Sequence, residues 1–157
     1  MINLLIKLLK ESVEKCYVND KSLIERSMEQ ASVARIYYYM QYMINTEDEY
    51  AQFKSYNLDC EYYKNGNLLK ELDSCPNGTR PDLILHKRGS NENNLLIVEF
   101  KSNNGTIHND IVKLIGFTAE HNDYKYRLGI FVKLDNQPEY RYFQKGEEVN
   151  ESVISNE

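Results

Sequence analysis

No run of proline, glycine or serine interrupts this chain of 157 residues, and no internal repeat is visible. That excludes a flexible linker between large domains, and 41% hydrophobic residues suffice for one modest core. No segment approaches the roughly 20 consecutive apolar residues needed to span a bilayer. The apolar start, Met1 to Leu9, is broken by Lys7, is followed by Lys10 and Glu11, and lacks a small-residue cleavage site, so it predicts an amphipathic helix. No membrane partner is expected.

Cysteine is also scarce. Cys16, Cys60 and Cys75 are odd in number and show no CxxC spacing, which excludes a disulfide framework and a structural zinc site and fits a reducing cytoplasm. Sequons beginning at Asn77, Asn104 and Asn150 carry no information in such a compartment. A net charge of −5 argues mildly against a protein that coats nucleic acid. Its distribution weakens that argument. Residues 80–145 hold ten Lys or Arg against eight Asp or Glu, whereas 146–157 hold four acids and no base. We therefore expect a single domain over 1–145 and an acidic, flexible tail over 146–157.

Apolar residues at Leu4, Leu5, Leu8, Leu9 and Val13 recur at helical spacing and predict a helix over 2–16, ended by Asn19 and Asp20. A second helix is predicted over 22–44, with Glu29 inside it. Period-two alternation over 56–63, followed by Asn65-Gly66, predicts a strand and hairpin turn. Strands are then expected over 82–86, opened by Pro81, and over 94–101. A loop over 102–105 leads to a helix over 108–119, a buried strand over 127–134 and an edge strand over 139–144 after Pro138. This order implies an α/β fold in three layers.

Two of these strands carry charge where apolar residues are expected. Asp82 introduces Leu83-Ile84-Leu85, and Glu99 lies within Leu96-Ile97-Val98-Glu99-Phe100-Lys101. Ionisation there is costly unless a cation or proton compensates. Side chains alternate along a strand, so Glu99 and Lys101 share one face, and an antiparallel hairpin brings Asp82 beside Glu99 if the register permits. Two adjacent carboxylates suit a hard cation, Mg²⁺ or Mn²⁺, with coordination positions left for water and phosphate oxygens. Lys101 supplies positive charge beside them. That combination suits phosphodiester hydrolysis.

Asp82, followed after sixteen residues by Glu99-x-Lys101 between apolar strands, resembles the PD-(D/E)xK superfamily of restriction-endonuclease-like nucleases. The likeness extends over most of the chain, through Asp110-Ile111-Val112-Lys113-Leu114 and Tyr126 to Phe131. From Asp59-Cys60-Glu61-Tyr62, through Arg80 to Gly89, to Lys113-Leu114, it is closer to small bacterial members with no assigned activity.

The resemblance implies a three-layer core with a mixed central sheet flanked by helices, preceded by N-terminal helices. It implies that Asp82 and Glu99 are metal ligands, with the Phe100 carbonyl as a third, and that Lys101 positions or activates the attacking water. Glu29 would complete the acidic cluster directly or through water, and Lys113 would contact a substrate phosphate. The implied activity is Mg²⁺- or Mn²⁺-dependent cleavage of nucleic acid, DNA ahead of RNA, as endonuclease or exonuclease. The alternative is a catalytically silent module of the same fold, acting through nucleic acid or a partner protein. A homodimer and a partner supplying specificity remain open.

The remaining candidates have plainer readings. Glu99 and Lys101 would form only a weak ion pair on an exposed face. Glu61 reads as a solvated strand residue, Lys113 as a solvated helix residue, and Asp110 as an acid favoured near a helix start by the helix dipole. His86 and His108 lack partners at ligand spacing, so each reads as a surface or hydrogen-bonded side chain. Tyr37, Tyr38, Tyr39 and Tyr42 could stack bases, but their helical spacing points mostly to core or interface.

Overall fold

A computed structural model describes residues 1–62, 64–65, 68–69, 71–72, 79–102 and 105–154. The tip of the Asn65-Gly66 turn, Cys75, the sequons at Asn77 and Asn104, part of the 102–105 loop and the last three residues lie outside the described residues.

Helix α1 (Ile2–Asn19) buries Ile2, Leu5, Leu8, Leu9, Val13 and Cys16 along one stripe, as its periodicity predicts, and runs three residues past the predicted end. The second predicted helix is divided. Lys21–Glu25 forms α2, and Glu29–Thr46 forms α3. Between them Ser27 adopts φ +53°. Its N–H donates to the Ile24 carbonyl and the Met28 N–H donates to the Leu23 carbonyl. This is a Schellman closure with serine where glycine is usual, so the sequence lacks the ordinary stop signal. Glu29 thus becomes the first residue of α3 instead of an interior one.

After a 3-10 helix (Asp48–Ser55), β1 (Asn57–Cys60) is shorter than its alternation suggested. It ends where Glu61 takes φ +49°. A small antiparallel pair follows, β2 (Lys64–Asn65) with β3 (Leu68–Leu69). The main sheet adds β4 (Leu83–His86), β5 (Leu96–Lys101), β6 (Leu128–Lys133), β7 (Glu139–Gln144) and β8 (Glu147–Val149), in the order β1-β4-β5-β6-β7-β8. All neighbours are antiparallel except β5 and β6, which are joined by α4 (His108–Thr118). Such a parallel pair requires a crossover, and α4 supplies it.

Alternation along the strands divides the core. Leu83, Leu85, Val98, Phe100 and Val132 face the layer of α1 and α3. Ile84, Ile97 and Phe131 face α4, where they meet Leu114 and Phe117. Gly129 allows the close approach of α4, since a Cβ there would come within 3.0 Å of the Thr118 methyl. The result is an α/β fold with a six-stranded mixed sheet between helices. Among the described residues no helix is long and apolar enough to cross a membrane.

The expectation of a flexible tail from residue 146 is corrected. Lys145 (φ +52°) and Gly146 (φ +83°) form a two-residue turn with positive φ at both positions, joining β7 to β8 with Gln144 opposite Glu147. The edge of the sheet is therefore β8, not β7. Beyond it Glu151 pairs with Lys10 at 2.7 Å and accepts a hydrogen bond from the Tyr142 hydroxyl, and Ile154 is buried.

Candidate metal centre

The β4–β5 register pairs Leu83 with Val98 and Ile84 with Ile97, so one further step brings Asp82 opposite Glu99. Pro81 precedes Asp82 just outside β4, where its missing N–H costs no ladder hydrogen bond. Asp82 Oδ2 accepts the Phe100 N–H at 2.7 Å. Phe100 thus supports the site through its amide, while its side chain enters the core on the opposite face.

Glu99 is 1% exposed. Its Oε2 accepts a hydrogen bond from Lys113 Nζ at 3.1 Å, and its Oε1 has no hydrogen-bond partner among the described residues. Buried polar atoms are rarely left so, which marks Oε1 as a place for a ligand or a proton. Lys113 also lies 3.4 Å from Asp110 Oδ1, one turn earlier on α4. Asp110 in turn lies 3.6 Å from Lys101 Nζ. Lys101 lies 4.0 Å from Glu29 Oε1, and the other Glu29 oxygen accepts the Ser102 N–H at 2.8 Å. Charges therefore alternate from Glu29 through Lys101, Asp110 and Lys113 to Glu99, with Asp82 alongside.

Four carboxylates against two ammonium groups leave two negative charges in excess when all are ionised. The consequence is visible in proton affinity. Burial pushes Asp82 up to about 6, reinforced by Glu29 and Asp110 and opposed by the Phe100 amide and Lys113. Glu99 is driven well above the usual carboxylate range by burial, then by Asp82 and Asp110, against the pull of Lys113. For Lys113 burial favours the neutral form, but Glu99, Asp110 and Asp82 prevail and hold it charged beyond its ordinary range.

A cleft of about 320 Å³ opens beside this cluster, lined by Glu29, Gln30, Val33, Cys60, Glu61 and Asp82. Glu61, read from sequence as merely solvated, is exposed but sits in the same cleft wall as Glu29 and Asp82. Lys113 is not the solvated helix residue of the plainer reading, since its side chain is only 20% exposed and bound to Glu99. Asp110 was missed. It stands in the first turn of α4, as the dipole reading has it, but is also buried between the two lysines. The spacing Asp110-x-x-Lys113 placed both on one helix face, but nothing local showed that this face meets Glu99.

His86 takes the hydrogen-bonded form of its reading, and does so in the interior. It is 3% exposed, and its Nε2 lies 2.9 Å from Asp59 Oδ2. Arg88 donates to the same oxygen at 2.9 Å through Nε and to Oδ1 through Nη2. His108 opens α4 and is exposed. Of the tyrosines, Tyr39 is buried and Tyr37 packs against the core. Tyr38 and Tyr42 are half exposed and stack with ring centroids 6.3 Å apart.

Two adjacent carboxylates, one with a buried oxygen unpartnered among the described residues, and an excess of two negative charges when all are ionised fit a hard divalent cation. The fit extends to Asp82 and Glu99. Among the described residues no three His, Cys, Asp or Glu side chains converge closely enough to enclose an ion, and Glu29 is turned toward Ser102 and Lys101. No protein-family model matches the chain, and no curated protein matches it.

Proposed function

We propose that this protein is a divalent-cation-dependent nuclease that hydrolyses phosphodiester bonds in nucleic acid, with DNA ahead of RNA as substrate. The observation that carries the reading is the placement of Asp82 opposite Glu99 on a buried strand pair, with one Glu99 oxygen unpartnered and Lys101 on the same face. The fold supports it coarsely, as a mixed sheet between helical layers. We extend this to a restriction-endonuclease-like core on the strength of Asp82 and Glu99-x-Lys101 at the ends of β4 and β5.

In this reading Asp82 and Glu99 hold Mg²⁺ or Mn²⁺, which when bound polarises a phosphoryl oxygen and acidifies a coordinated water. The Phe100 N–H holds one Asp82 oxygen, which orients the carboxylate and leaves the other oxygen to face the ion. Lys101, tethered between Glu29 and Asp110, orients the attacking water by its charge and stabilises negative charge developing on the phosphate. Glu29 acts through Lys101 and Ser102, and would complete an ion's surroundings directly or through water. Lys113 is the second cation available to phosphate.

One observation favours a silent binding module instead. Lys113 already neutralises Glu99, and among the described residues no third acid closes around the pair. The two readings part on a cleavage assay with double-stranded DNA, single-stranded DNA and RNA in Mg²⁺ and in Mn²⁺. The nuclease reading expects cation-dependent cleavage that is lost in Glu99→Gln and Lys101→Ala. Mn²⁺ binding without cleavage of any substrate would leave the silent module with a retained metal site, and no Mn²⁺ binding would remove the nuclease reading.

A further inference from the structure

We infer that the Lys113 ammonium is the resident counter-cation of the Asp82–Glu99 pair, and that an entering divalent cation displaces it from Glu99 onto Asp110. This rests on the metal reading of the site. It adds that the cation-free centre is closed by the chain itself and that loading is an exchange of one cation for another.

The geometry is that of a bridge with one end to release. Lys113 Nζ lies 3.1 Å from Glu99 Oε2 and 3.4 Å from Asp110 Oδ1, so it can leave one anion without losing the other. Its side chain is 20% exposed, which leaves a path outward. Asp110 does not follow it, because Lys101 holds its other oxygen at 3.6 Å. Glu99, almost wholly buried, has no water to replace the lost ammonium and keeps its charge only if another cation arrives. An ammonium and a doubly charged ion on the same carboxylate repel strongly at such range.

The exchange has a consequence for substrate. While Lys113 is held by Glu99 it is spent on the protein's own carboxylate. Once moved to Asp110, which it shares with Lys101, it has donors left for a phosphate oxygen. The cation would bind before the nucleic acid.

Lysine reactivity in the wild-type protein tests this directly. Reductive methylation followed by mass spectrometry would be run with and without Mn²⁺ at matched ionic strength, while depletion of the free-ion Mn²⁺ resonance reports binding on the same samples. Labelling of Lys113 is expected to rise by about fivefold or more on Mn²⁺ binding, with Lys15 and Lys145 unchanged, as release of a charge-assisted hydrogen bond implies. Mn²⁺ that binds with Lys113 labelling unaltered overturns the inference and leaves the metal reading standing, since the ion then uses only the vacant Oε1. Absence of Mn²⁺ binding overturns both. Lys113→Met gives a second readout: removing a competing cation should tighten Mn²⁺ on the order of tenfold, and unchanged or weaker binding by the folded variant would contradict displacement.

Discussion

Asp59 and Glu99 are both carboxylates buried in the face of the sheet that meets α4, with only β4 between their strands, and they are opposites in electrostatic terms. The register places Asp59 opposite Ile84, and Ile84 opposite Ile97, two residues before Glu99. Around Asp59 both oxygens are engaged, by Arg88 and by His86. Burial there raises proton affinity, but these partners outweigh it and hold the carboxyl below its usual range. Around Glu99 one ammonium serves one oxygen, the other oxygen has no partner among the described residues, and neighbouring acids add to the burden. A buried charge that is fully paired is a structural element. One that is half paired, beside further like charges, is a candidate cation site.

The sharpest way to break this contrast is cleavage activity. Glu99→Gln and Lys101→Ala should each lower the rate by about 10²- to 10⁴-fold, the range for removing a group acting on the reacting atoms. Asp59→Asn, assayed where it is folded, should stay within about threefold of wild type, because its site touches none of those groups. Equal losses in all three would show that the two carboxylates do not differ in role.

Stability should show the reverse order. In the absence of divalent cation, Asp59→Asn should cost about 2 to 4 kcal/mol in urea unfolding, as expected when one member of a buried hydrogen-bonded charge group is removed. Glu99→Gln should cost less than about 1 kcal/mol or stabilise, since it removes an incompletely compensated buried charge. A larger loss at Glu99 than at Asp59 would sink the distinction.

The pH dependence of stability separates them by sign. Asp82, with a folded value near 6, binds a proton in the native state between about pH 6 and 4 while the unfolded chain does not. Glu99 acts in the same direction. Cation-free stability should therefore rise as pH falls from 7 through 6 toward 4, and Asp82→Asn should flatten that rise. Asp59 works the other way: its contribution is present above the ordinary carboxylate range and is lost as pH falls through its depressed folded value. Urea unfolding at intervals from pH 7.5 to 3 would reveal both limbs, and a monotonic fall in stability from neutral pH downward would contradict the assignment at Asp82.

The smallest effect is expected from Arg88→Lys. The Arg88 side chain is 57% exposed, so replacing its fork by a point charge should cost less than about 1 kcal/mol and leave Mn²⁺ affinity unaltered. A change in Mn²⁺ affinity would mean that the two carboxylates are coupled through β4.

Much of this was legible along the chain. Asp82 and Glu99-x-Lys101 stood out because charge interrupts strands that are otherwise apolar, and the alternation of β5 already placed Glu99 and Lys101 on one face. Strands β4, β5, β6 and β7 and helix α4 followed from the pattern of apolar residues. What escaped reading has identifiable causes. The α2–α3 break uses Ser27 in a left-handed position, and the β7–β8 hairpin uses Lys145-Gly146, so neither carries the usual turn dipeptide. Asp110 and Lys113 each looked ordinary beside their sequence neighbours, because what distinguishes them is the opposite partner across the fold, and the hydrogen bond expected of His86 had no partner named for the same reason.

By itself, then, the sequence determined the properties that depend on near neighbours: where most of the helices and strands lie, which residues share a face, and that two carboxylates are set among apolar residues. Only the tertiary structure decided which of the buried carboxylates are compensated. Lys113 reaches Glu99 across 14 positions, Arg88 reaches Asp59 across 29, and Glu29 reaches Ser102 across 73. Coulombic and hydrogen-bond energies depend on distance in space and on exclusion of water, and neither is set until α3 and α4 have packed against the sheet.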